Sequence, residues 1–243
     1  MSIPKKLKKT TILESIVEFR YKNKIEIEEV FFIVRSILEE NGFTYEKQQI
    51  MDLPVAIREN DPKLKYAPNY SFKKDSNIVH ISPYMISFNI KGFYSSWTNF
   101  LNFIISLFSE LNNLTSKWDL ERTSMRYIDF FENTNIFDNI NISINVPSNL
   151  CADNDIEEKS KNFISEFKCS EDISIRMQIV NNLEIKSIES IKKGSIIDMD
   201  VFSINLEKPY KDTLEELHNI TKNSFFNILT KEFIETLDPE YEE

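Results

Sequence analysis

Glycine is the residue that most constrains this chain: three occur in 243 positions, Gly42, Gly92 and Gly194, and no two lie close together. A dinucleotide-binding turn needs three glycines within six residues so that backbone can approach a pyrophosphate at a helix start. A phosphate-cradling P-loop needs two, followed by Lys. A nucleophile elbow needs Gly two before and two after its Ser. None of these can be built here. Scarcity of ligands narrows the field further. The histidines are His80 and His218, and the cysteines Cys151 and Cys169. A structural zinc site needs four converging soft ligands, usually in close pairs, whereas these stand singly. No metal or other cofactor is therefore expected. Without a signal peptide, the two thiols read as reduced intracellular cysteines.

Charge bears on partners. The 29 Lys+Arg against 39 Asp+Glu give a formal net charge of −10, and 41 % of residues are hydrophobic. This is the composition of a globular chain. At this length a fold buries roughly 70–75 % of its unfolded surface, enough to be stable without disulfides. The apolar stretch around Phe100–Phe108 is broken by Asn102 and Ser106 and is too short for a bilayer span. A cytoplasmic protein with no membrane segment is expected.

Periodicity sets out the elements. Ile12–Tyr21 alternates as a strand. Val30, Phe31, Val34, Ile37 and Leu38 form a helical stripe within 26–41, closed by Gly42 as a left-handed cap. A strand is predicted over Phe43–Ile50, then an irregular Pro-containing connection over 52–69. Short strands follow at Tyr70–Lys73, Ile78–Ile81 and Met85–Ile90. Trp97, Leu101, Ile104, Phe108 and Leu111 then mark the inner face of a helix from Ser95 to Leu114. Glu121–Glu132 reads as a strand with Met125, Tyr127, Asp129 and Phe131 on one face and Arg122, Arg126, Ile128 and Phe130 on the other. Strands are predicted at Ile140–Val146, Phe163–Cys169, Ile173–Val180, Leu183–Ile188 and Ile196–Leu206, and a last helix at Thr213–Leu237. The expected fold is α+β, with two similar halves, 1–133 and 134–243, or one continuous domain. Each half is a largely antiparallel meander on one long helix.

Four phrases resemble a sporadically distributed, uncharacterised prokaryotic family of about 250 residues. LKKTTILESIVEFRY (Leu7–Tyr21) is similar to its N-terminal strand, with Glu14 at the acidic position and Thr11 where Pro is frequent. YSSWTNF (Tyr94–Phe100) resembles its aromatic-Trp-Phe helix start. Arg122, Arg126, Tyr127, Ile128 and Asp129 match its Arg-x-x-x-Arg-Tyr-Ile-Asp strand, and Phe225–Tyr241 its C-terminal helix. The resemblance covers most of the chain and implies no activity. The family's patchy distribution is similar to that of defence and toxin–antitoxin genes.

The leading polar constellation is Arg122, Arg126, Asp129 and Glu132. Arginine presents a fixed fork of donors suited to carboxylate or phosphate. The plainer reading is a salt bridge holding the strand against a helix. The functional one is recognition of a ligand or partner, since two arginines without a nucleophile can only stabilise charge. Lys73 and Lys74, with Lys63 and Lys65, alternate with Tyr66, Tyr70 and Phe72 in a way that would suit stacking on single strands. Against that, ordinary solvated hairpin lysines need no ligand, and a net negative surface repels phosphate. His80 reads as a hydrogen-bonded sheet histidine and His218 as a surface residue. The acids of Ile25–Glu29 suit a helix N-terminus, and those of Asp153–Glu158 an exposed loop. The expected function is a non-enzymatic protein-binding module, an accessory, antitoxin or immunity subunit whose partner is encoded nearby. A metal-dependent nuclease and a single-stranded nucleic-acid binder are the alternatives.

Overall fold

The computed structural model describes residues 3–22, 26–62, 64–111, 119–144, 159–186, 191–204 and 207–241. Lys63, Trp118, Cys151 and the acidic run 153–158 lie outside them.

The fold is mixed α+β around one antiparallel sheet. Its strands are β2 (Ile12–Tyr21), β3 (Thr44–Lys47), β4 (Tyr70–Lys74), β5 (Asn77–Ser82), β6 (Met85–Lys91), β7 (Leu120–Glu132), β8 (Asn162–Lys168), β9 (Ile173–Lys186) and β10 (Ile191–Ser203). Their order is β3-β4-β5-β6-β2-β7-β10-β9-β8. Strand β7 thus lies in the interior of the sheet, next to the middle strand β2, and is paired antiparallel with β2 on one side and β10 on the other. A separate ribbon joins β1 (Lys6–Leu7) to β11 (Pro239–Glu240).

The helices are α1 (Ile27–Glu40), α2 (Val55–Asn60), α3 (Trp97–Glu110), α4 (Tyr210–Ile228) and α5 (Lys231–Thr236). No helix among the described residues is long and apolar enough to cross a membrane. Helices α1, α3, α4 and α5 cover one face of the sheet. Phe31 of α1 stacks on Tyr70 of β4, Phe108 of α3 packs on Phe19 of β2, and Phe225 and Phe233 reach Phe131 of β7. Phe19, Phe31, Phe108 and Phe131, with Phe88, Met125 and Ile197, are buried, Tyr70, Phe225 and Phe233 pack partly buried against them, and their area supplies the main drive to fold. Glu28 and Glu29 occupy the first turn of α1, where the helix dipole favours acids. Gly42 follows that helix at φ +82°.

Several predicted elements differ. In the described part of the strand predicted over Ile140–Val146, residues 140–144, there is one bridge instead, Ile140 to Leu229. The Asn141 amide group donates to the carbonyls of Asn227 and Leu229, so the asparagine side chain takes the place of a ladder. Over the described residues 173–186, the two strands expected there are one. Asn181-Asn182, which reads as a turn, is a kink inside β9 where Asn182 takes φ +53°, a region asparagine tolerates. The last helix breaks at Leu229, whose backbone is extended, and restarts with Thr230 capping the Phe233 amide. The strand beginning at Phe43 ends at Lys47 and passes into a 3-10 turn over Gln49–Asp52, and α2 lies within the connection read as irregular.

One glycine is required by space. A Cβ on Gly194 would lie 2.1 Å from the Phe131 carbonyl oxygen, where β10 shifts register beside β9. Gly92 has open space but φ +90°. Gly194→Ala is therefore expected to cost about 3 kcal/mol by overpacking, and Gly92→Ala about 1 kcal/mol by backbone strain. Chemical denaturation of the two variants checks the order; equal losses would contradict it.

Candidate functional site

Alternation along β7 sends its polar residues to two different places. Arg122 and Arg126 project from the face opposite the helices. There they meet Asp200 and Asp198 of β10 on the diagonal, since the residue directly opposite Arg126 is Asp200 and Asp198 stands opposite Ile128. Arg126 grips Asp198 with both arms of its guanidinium, Nε to Oδ1 at 2.7 Å and Nη2 to Oδ2 at 2.5 Å. Arg122 Nη2 donates to Asp200 Oδ2 at 2.5 Å, and its guanidinium lies 4.1 Å from the centre of the Phe202 ring. Across β2, Arg20 stands directly opposite Arg122. Two like charges so placed repel. Glu18 relieves this: it accepts from Arg20 Nε at 2.6 Å and lies 3.6 Å from Arg122 Nη1. The hydrogen bond from Asp198 raises the Arg126 pKa further above its ordinary value. With Glu166, Arg176 and Gln178 from β8 and β9, these side chains line a groove of about 490 Å³. The arginines brace strand against strand, not strand against helix.

Asp129 goes to the other face. It is 4 % exposed beneath the helices, and its Oδ1 accepts from Thr11 Oγ1 at 2.6 Å. Burial raises its pKa to about 7 despite that bond, with a smaller push from Asp198 across the sheet. Nearby, the Tyr127 and Tyr94 hydroxyls are 2.9 Å apart, and Tyr127 lies 3.1 Å from His218 Nδ1. The His218 ring stacks on Trp97 with centroids 4.3 Å apart and planes 7° from parallel. Trp97 Nε1 donates to Glu215. Burial lowers the His218 pKa to about 4, with Lys222 adding to the effect. His218 is accordingly a half-buried neutral imidazole, not the surface residue its helical position suggests. Asp129, Tyr94, Trp97, Tyr127 and His218 line a second cavity, of about 350 Å³.

The remaining expected site residues are dispersed. Glu132, at the end of β7, pairs with Lys192 at 2.9 Å. Lys73 pairs with Glu46 at 2.6 Å, and this bond holds the Glu46 carboxyl below its usual range. Lys74 donates to the Asn41 carbonyl at the end of α1, where a cation suits the helix dipole. Tyr70 stacks on Phe31, and Phe72 is fully buried, so neither ring is free to stack on a base. Tyr66 lies beneath Arg20 and donates to Glu121. The alternating lysines and aromatics therefore form no common stacking platform. His80 is hydrogen-bonded to Ser71 at 2.6 Å across β4 and β5, and burial lowers its pKa. Among the described residues no group of three His, Cys, Asp or Glu side chains is placed to hold a metal ion.

Sequence reasoning missed Asp198, Asp200, Tyr94, Trp97 and His218 as site residues. The alternation Asp198-Met199-Asp200 within an apolar strand was a usable signal for the first two. It is the period at which carboxylates face the arginines of a neighbouring strand. Comparison with protein-family models and with curated proteins finds no match to this chain.

The two perturbed groups pull stability in opposite directions with pH. Between the ordinary aspartate pKa and about 7, folded Asp129 holds a proton that the unfolded chain has lost, so its contribution falls as pH rises. Between about 4 and the ordinary histidine value, unfolded His218 holds a proton that the folded chain has lost, so its contribution rises with pH. Asp129→Asn should leave unfolding free energy climbing from pH 4.5 to 6.5, and His218→Asn should leave it declining. Urea titrations across that range check this; parallel profiles for the two variants would contradict it.

Proposed function

We propose that the protein is a non-enzymatic binding module that docks a protein partner on the groove across β2, β7, β10, β9 and β8. The observation that supports this reading best is the ionic lattice itself. Four arginines (Arg20, Arg122, Arg126, Arg176) and three acids (Glu166, Asp198, Asp200) line one groove on the face away from the helices. Arg126 retains 40 % of its side-chain exposure while making its bidentate pair. A lattice of this kind fixes the strands and offers a patterned surface of both signs. Such a surface favours choice of partner and rate of encounter over raw affinity. The net charge of −10 favours a partner of basic character. An antitoxin, immunity or accessory defence subunit, acting on a protein encoded nearby, is the biological setting that fits.

The two-halves architecture belongs to the same reading. The sheet order is consistent with two units, each opening on a central strand, β2 or β7, that pairs with the last strand of its meander, β6 or β10. A division before β7 suits that order better than one at residue 133. Among the described residues no group of carboxylates is placed to hold the metal ion that the nuclease alternative requires. The single-strand alternative loses the exposed rings on which it depended.

Two measurements test the proposal. Removal of one partner from a partly buried ion pair leaves the other uncompensated, so Arg126→Ala should lower stability by about 1–3 kcal/mol. Docking is tested instead at exposed groove positions, with Arg176→Glu and Glu166→Lys combined. Tagged protein co-expressed with its genomic neighbours should retain a stoichiometric protein on purification. The double charge reversal should lose it with the circular dichroism spectrum unchanged. Retention by the reversed variant, or co-purification of nucleic acid instead, would overturn the reading.

A further inference from the structure

The cavity on the helix side has features that the docking groove does not explain. At about 350 Å³ it falls within the range of small-ligand sites, roughly 300–1,000 Å³. Its lining includes five aromatic side chains, Tyr94, Trp97, Tyr127, Phe225 and Phe226. Into this apolar space project one carboxyl and one hydrogen-bonded chain. Asp129 uses Oδ1 for Thr11, and among the described residues no donor engages its second oxygen. The chain Tyr94–Tyr127–His218 can run in two senses. If Tyr94 donates to Tyr127 and Tyr127 to Nδ1, the neutral imidazole keeps an Nε2–H to offer. If Nδ1 donates to Tyr127 and Tyr127 to Tyr94, the Tyr94 hydroxyl keeps its proton to offer. Either way one donor remains unspent beside an acceptor.

The solvent end of the cavity is basic. Lys5, Lys6 and Lys222 line it in a chain whose net charge is −10. Lys6 is paired with Glu240, whereas Lys5 and Lys222 have no acidic partner among the described residues. The first turn of α3 also borders the cavity through Ser96, Trp97 and Thr98. The Asn99 amide is capped by Ser96 Oγ and the Phe100 amide bonds the Ser96 carbonyl. The Trp97 and Thr98 amides, first in the helix, have no carbonyl acceptor within it. Unspent amides, a helix dipole and two free lysines on one cavity favour an anion.

We propose that this cavity binds a small aromatic anion: a planar ring against the aromatic lining, a ring N–H or amino group on Asp129, and a phosphate or carboxylate at Lys5, Lys222 and the start of α3. The ring supplies apolar area that the aromatic lining would otherwise leave facing water. The donor engages the open carboxyl oxygen, and the anionic group neutralises the basic end. This site lies on the opposite face of the sheet from the groove, so it stands or falls independently of partner docking.

The test uses the full chain carrying Trp118→Phe, which leaves Trp97 as the single tryptophan. Four probes are titrated by Trp97 fluorescence and by thermal shift. Adenosine 5′-monophosphate carries ring and phosphate, anthranilate carries ring and carboxylate, adenosine lacks the anion, and ribose 5-phosphate lacks the ring. The expected result is saturable quenching and a raised Tm with one or both of the first two probes. Adenosine and ribose 5-phosphate should bind at least tenfold more weakly. A response to the monophosphate alone identifies phosphate as the anionic group, and to anthranilate alone, carboxylate. Lys222→Ala, a change at the solvent end that leaves the core intact, should weaken the responding probe at least tenfold. Silence from both ringed anions at millimolar concentration, equal binding of ribose 5-phosphate, or full affinity in Lys222→Ala would overturn the proposal.

Discussion

The two-residue period of β7 is the constraint on which the rest depends. The strand lies between β2 and β10, so each of its side chains must face either the helices or the opposite side. Tyr127 and Asp129 enter the helix-covered space, where desolvation governs their chemistry. Arg122 and Arg126 enter the groove, where Asp200 and Asp198 meet them on the diagonal from the same face of β10. A slip of one residue would drive two guanidinium groups beneath α4 and expel Met125 and Phe131. Charge burial alone would make that pairing untenable. The ionic lattice and the apolar cavity therefore enforce one register from both sides.

The two faces are also electrically linked. Asp198 raises the Asp129 pKa across the sheet, and Arg126 is the cation that compensates Asp198. His218 is set differently: burial and Lys222 keep it neutral, and its stack on Trp97 fixes its ring plane.

Most of the framework was legible because periodicity reports burial. Ile12–Tyr21, the helix closed by Gly42, the three short strands over 70–91 and the strand of Glu121–Glu132 all have one apolar face. Where asparagine intervened, the pattern misled. Asn141 bonds carbonyls at the end of α4, and Asn182 kinks a continuous strand. The break at Leu229 had no sequence signal in its own stripe, since Leu229 is buried in either arrangement. At the sites, Arg122 and Arg126 were legible as a pair because they share a face. Asp129 was legible as important, yet its separation from them follows only from which face the helices cover. His218 and Trp97, separated by 121 positions, meet through tertiary packing that no local pattern encodes.

Direct titration of Asp129 is the measurement that bears most closely on this account. Carbon-13 labelling of the aspartate carboxyls, with Asp129→Asn to assign the resonance, reports its midpoint. The account predicts a midpoint near 7, the value of a carboxyl sealed beneath the helices on the side of β7 away from the arginines. A midpoint near 4 would place Asp129 in water or beside a cation, and would contradict the two-faced strand on which both sites are built.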